Sequence, residues 1–146
     1  MNFGNFYDTV RQFALNTQKV QSFYTLDPYL CWNSLNVVYG SFCININHIS
    51  RDGNYDVLNV TMYFGDKLEN DSSNIFEAQT DGFNAIMNVI RHLKEEYELD
   101  DYSEIQIHPF HQTFADILAG CYCDANIYVP VEDVCEDYDK QDSDSE

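Results

Sequence analysis

Four side chains able to bind a soft metal ion fall close together in the chain: His108, His111, Cys121 and Cys123. Two imidazoles and two thiolates form the ligand set of a structural zinc. The spacing argues against that use. Finger cysteines are separated by roughly two to four residues. Cys121 and Cys123 are separated by one, which on a strand sends both to the same face. His108-Pro-Phe-His111 also lacks the helical setting of a finger's histidine pair. Asp66, Glu69 and Asp71 offer hard oxygen donors for calcium, but their order does not match the roughly 12-residue loop of an EF-hand. No metal site is predicted.

Nucleophilic chemistry fares no better. Any of the five cysteines (Cys31, Cys43, Cys121, Cys123, Cys135) can be paired on paper with a histidine. None sits in a Gly-rich turn before a helix, where its pKa would fall. The odd number, in a chain whose N-terminus MNFGNFYDTVRQF lacks a basic segment and an apolar core, predicts reduced thiols and no secretory signal. Carboxylates are abundant, yet in a chain with 25 acids most are solvated surface. No catalytic residue, no cofactor and no metal ligand is predicted, and a non-enzymatic role follows.

The net charge is −18, from 25 acidic and 7 basic residues. Eight acids lie in the last segment: Glu132, Asp133, Glu136, Asp137, Asp139, Asp142, Asp144 and Glu146, against Lys140 alone. Without that segment the chain still carries −11, so the acidity also belongs to the body. Binding a phosphate backbone requires Lys and Arg that release counterions, which excludes sequence-reading of nucleic acid.

These residues need elements to position them. Phe3, Phe6, Tyr7, Val10, Phe13 and Ala14 fall on one helical stripe ending near Asn16. Val20 to Leu26 reads as a short strand cut off by Asp27-Pro28. Asn36 to Ile49, rich in β-branched and aromatic residues, reads as a strand. Arg51-Asp-Gly-Asn54 is a turn, and Tyr55 to Phe64 returns as the second arm of a hairpin. The polar loop Gly65–Asn74 precedes a long helix, Ile75–Tyr97, with Asn74 as N-cap and Glu77 as its reciprocal partner. Phe76, Phe83, Ile86, Ile90 and Leu93 are its predicted core face. Gly82 inside it costs about 1 kcal/mol relative to Ala, which a close approach by another backbone would explain. Glu104 to Phe110 reads as a strand stopping at Pro109, Gln112–Gly120 as a turn or helical piece, and Cys121–Val131 as a last strand.

The order αβββαββ predicts an α+β domain over residues 1–131: a mostly antiparallel sheet of roughly four to five strands with two helices on one face. Residues 132–146 are predicted to form an acidic, disordered C-terminal tail. No apolar run is long enough for a transmembrane helix.

The run GDKLENDSSNIFEAQTDGFNAIMNVIRHL, with Phe110, Phe114, Asp116, Ala119, Gly120, the strand Ala125–Val131 and Cys135 downstream, resembles the small neck and tail proteins of tailed bacteriophages. The likeness is to the tail-terminator, tail-completion or head–tail connector type, including versions from crAss-like phages. It implies a structural virion protein, assembled in the host cytoplasm as a six- or twelve-fold ring of identical subunits. Its partners would be itself and other neck, portal or tail proteins, with DNA passing through the channel unread and no membrane involved. Loops on a rigid scaffold commonly carry recognition. Asp66, Lys67, Glu69, Asn70, Asp71, Phe114 and Asp116 are therefore the predicted subunit contacts. Two alternatives stand beside this reading: an acidic monomer that mimics DNA and inhibits a host nucleic-acid-binding protein, and a small enzyme with an unfamiliar site.

Overall fold

The computed structural model describes residues 1–25, 28–33, 37–113 and 116–131, with the backbone alone at 28–29. The acidic segment 132–146, predicted as a tail, and Phe114 lie outside these residues. Within them the chain runs α1 (Phe3–Leu15), β1 (Ser22–Tyr24), α2 (Pro28–Trp32), β2 (Ser41–Asp52), β3 (Tyr55–Lys67), α3 (Ile75–Glu96), β4 (Glu98–Leu99), a 3-10 turn (Tyr102–Glu104), β5 (Ile107–Thr113) and β6 (Ile117–Pro130). The class is α+β. One six-stranded sheet has the order β1-β2-β3-β6, with β4 and β5 both pairing the far side of β6. Only the β1–β2 pair is parallel.

The β2–β3 hairpin and β6 form the centre. A two-residue loop, Gly53-Asn54, joins β2 to β3, and Gly53 takes φ 59°, as the first position of a II′ turn demands. On β3, Leu58, Val60, Met62 and Phe64 are fully buried on the face covered by α1 and α3. Each such side chain contributes about 1.5–3 kcal/mol by leaving water. Phe42 and Ile44 from β2 and Cys121, Cys123, Ala125 and Ile127 from β6 complete that core. On α1, Phe6, Val10 and Ala14 face it, and Asn2 caps the helix by accepting the Asn5 N–H at 3.0 Å.

Several expectations need correction. Phe76 is 81% exposed and Phe83 47%, so they are surface and not core, while Ile86, Ile90 and Leu93 are fully buried. The cause is the row of small residues Ala78, Gly82 and Ala85, which lets α3 lie close to β6. A Cβ on Gly82 would stand 2.8 Å from the Cys121 nitrogen and 3.2 Å from the Gly120 Cα. That close approach is what the glycine serves. The helix rotates its small residues inward, and the two phenylalanines, on average roughly 140° away around the axis, turn outward.

Asn74 is at the N-cap but does not cap with its side chain. Its amide closes the preceding loop, accepting from the Glu69 N–H at 2.8 Å and donating to the Lys67 carbonyl at 3.1 Å. The predicted loop Gly65–Asn74 is shorter, because β3 continues through Gly65, Asp66 and Lys67 opposite β6. β5 runs straight through Pro109, and Gln112–Gly120 is no helical piece: Gln112 and Thr113 end β5, and Ile117 to Gly120 open β6. An unpredicted helix, α2, lies on the sheet's outer face, where Cys31 and Trp32 pack with Cys43 and Leu118. Among the described residues no helix is long and apolar enough to cross a membrane.

Candidate assembly surfaces

Strand register decides where each chemically able residue sits. Cys121 and Cys123 point into the helix-covered core. Burial pushes their thiols up to about 11 and about 12. The Cys121 thiol donates to the Gln79 carbonyl at 3.3 Å. His108 pairs with Tyr122 on the opposite face and stacks on its ring at 5.1 Å, and His111 is exposed. The four residues of the zinc candidate are not brought together. Among the described residues no group of three or more His, Cys, Asp or Glu could hold a metal ion.

The predicted contact residues divide. Asp66 accepts the Gly40 N–H at 3.2 Å and the Lys67 N–H at 2.9 Å. Asp116 accepts the Tyr39 hydroxyl at 2.7 Å and pairs with Lys67 at 3.4 Å. The Tyr39 hydrogen bond, helped by Lys67, holds the Asp116 carboxyl below its usual range, while burial and Asp116 raise the Tyr39 hydroxyl. Asp66, Lys67 and Asp116 thus brace the segment before β2 against β3 and β6. Glu69, Asn70 and Asp71 are exposed at the rim of a compact loop, where Asp71 accepts the Ser73 N–H at 3.0 Å.

The sheet's outer face carries two bands. Trp32 lies over a row where Gly65 faces Gly120; its indole N–H donates to Ser41 at 2.7 Å and its ring stacks on Phe110 at 5.6 Å. A Cβ on Gly65 would stand 2.8 Å from that indole. Further along, amides and hydroxyls bond one another across the strands: Asn47 to Asn59 at 3.0 Å and to Thr61 at 2.7 Å, Asn59 to Asn126 at 2.9 Å, and Thr61 to Asp124. These groups satisfy each other. They form a polar surface without a paired nucleophile and base.

Apolar surface collects at the two sides of the sheet instead. On the β5 side, Phe83, Met87, Tyr102, Ile105 and Ile107 line an open groove of about 280 Å³. Phe76, two helical turns before Phe83, extends the same stripe. Lys94 lies 4.0 Å over the Tyr102 ring. On the β2 side, Phe3, Tyr7, Ile46, His48 and Ile49 line a second groove, of about 410 Å³, with Phe3 52% and Ile49 42% exposed.

No protein-family model and no curated protein matches the chain. The two apolar surfaces are the features of the described residues that could carry contact with a partner. Phe76 and Phe83 on the first surface belong to the predicted core face of α3, and on the second Phe3 and Tyr7 belong to the predicted apolar stripe of α1, of which Phe3 stays 52% exposed. The signal that would have exposed the first patch is the Ala78–Gly82–Ala85 row, which competes with the phenylalanines for the inward face.

Proposed function

We propose that the protein is a structural subunit that assembles head-to-tail into a closed ring, at the neck or tail junction of a tailed-phage virion. One observation carries the assembly part: two unlike apolar surfaces on opposite sides of one sheet. Contiguous exposed apolar area marks interaction sites. Two unlike patches that mate with each other make a heterologous contact, which closes into a ring when the rotation permits.

Both flanks of the sheet are blunted against strand addition. β5 carries Pro109; on the other flank β1 is only 3 residues long, and past its end the β2–β3 register shifts between Ile46 and His48. Contact through side chains is accordingly favoured over extension of the sheet. The sequence resemblance supports the phage-neck setting, and the −18 charge suits a channel through which DNA must pass without sticking. The exposed Glu69, Asn70 and Asp71 are proposed to meet the portal or tail proteins above and below the ring.

Quantitative proteomics of purified virions tests the setting. The expected result is a copy number equal to the portal's or in simple proportion to it, as six- or twelve-fold symmetry requires. Absence from the particle refutes it.

A further inference from the structure

Two cysteines that the assembly argument does not use meet on the sheet's outer face. Cys31 on α2 and Cys43 on β2 bring their sulfurs to 3.7 Å, and the Cys43 thiol donates toward Cys31. Both are buried in the small outer core with Trp32 and Leu118. Closing the gap by roughly 1.7 Å would give the disulfide bond length of about 2.05 Å. The hydrogen bond from Cys43, opposed by burial, holds the Cys31 thiol below its ordinary value and marks it as the better nucleophile.

Cys121 and Cys123 provide the contrast. Their thiols are pushed up by burial. They also sit two residues apart on one extended strand with parallel side chains, so their Cβ atoms stand roughly 6.6 Å apart against the about 3.5–4.5 Å that a disulfide spans.

We propose that Cys31 and Cys43 are a peroxide-oxidised pair whose intramolecular disulfide clamps α2 onto β2. The Cys31 thiolate attacks one oxygen of hydrogen peroxide, the O–O bond breaks, and hydroxide leaves and is protonated to water. The resulting sulfenic acid is attacked by the Cys43 sulfur, which loses its proton as the S–O bond breaks and a second water departs. Two thiols are oxidised by two electrons, and one peroxide is reduced to two waters. Burial of both sulfurs selects a small oxidant over a bulky disulfide such as oxidised glutathione. The bond restricts the unfolded chain and fastens the helix that holds Trp32 over Gly65. It is independent of ring formation.

The test treats reduced full-length protein with a slight excess of hydrogen peroxide, then maps peptides without reduction and measures thermal unfolding. The expected result is a mass loss of about 2 Da, a linked Cys31–Cys43 peptide, intact thiols at Cys121 and Cys123, and a Tm higher by several degrees that dithiothreitol reverses. Cys31→Ser and Cys43→Ser should each lose both the link and the Tm rise. If either variant fails to fold, the wild-type peptide map decides alone. A link to Cys135, direct over-oxidation of Cys31, no link, or a link that leaves Tm unchanged overturns the proposal.

Discussion

Replacing Ile86 and Phe83 separately by alanine measures the rotational setting of α3, on which the β5-side surface depends. Ile86 is fully buried, so truncation removes its transfer free energy and leaves a cavity, a loss of about 2–5 kcal/mol. Phe83 is 47% exposed. Its truncation leaves no enclosed cavity, and about half of the roughly 1.5–3 kcal/mol of a full burial is at stake. The better helix propensity of alanine returns about 0.5 kcal/mol. The net loss is then about 0.3–1 kcal/mol, and for Phe76→Ala close to zero. Thermal unfolding should be run on dilute protein confirmed monomeric by light scattering, because assembly would add apparent stability to the wild type. In a chain of this size Ile86→Ala should lower Tm by roughly 5–15 °C and Phe83→Ala by no more than about 4 °C. Equal losses for the two variants in the monomer would mean that Phe83 is core, and the proposed surface would not exist.

Three further outcomes follow from the packing and the titrations. Gly82→Val should destabilise the fold by about 2 kcal/mol or more despite its better helix propensity, because the added atoms press on the β6 backbone; calorimetry showing a gain would refute the close approach. Asp116 has a lowered folded pKa, so its stabilisation is present above the unfolded value near 3.8 and is lost as pH falls through the folded one. Tyr39→Phe should flatten that acid limb of the denaturation profile, and an unchanged limb would count against the bond. Cys123 has a raised folded value of about 12, so its stabilisation is complete below pH 9.0 and fades as pH rises toward 12. Cys123→Ala, though less stable throughout, should show a shallower alkaline slope than the wild type, and an equal slope would refute the assignment.

Most of the framework was legible because it follows from periodicity. The α1 stripe, the Gly53 turn with its two long arms and the span of α3 each rest on a repeat that sequence displays directly. The failures share a physical origin, which is competition that single-sequence patterns do not resolve. On α3, bulk favoured Phe76 and Phe83 for the core, but close approach to Gly120 and Cys121 favoured the small residues. Pro109 reads as a strand stop, yet proline is tolerated on an edge strand where its missing N–H faces away from the neighbour. Asn74 has equal capacity to cap α3 or to close its own loop, and the loop took it. Asp66, Lys67 and Asp116 look like free loop charges until β3 is seen to extend beneath them. The α2 helix is only five residues long, too short for a period to show.

The central claim, head-to-tail assembly through unlike surfaces, has a direct test by native mass spectrometry of charge-disrupted variants. Phe83→Glu spoils the β5-side surface and Ile49→Glu the β2-side one. The account predicts a closed ring for the wild type at high concentration, monomers for either variant alone, and one-to-one dimers when the two are mixed, since only one intact mating pair then remains. A wild type that stays monomeric at high concentration would contradict the account, as would an Ile49→Glu variant that assembles like the wild type.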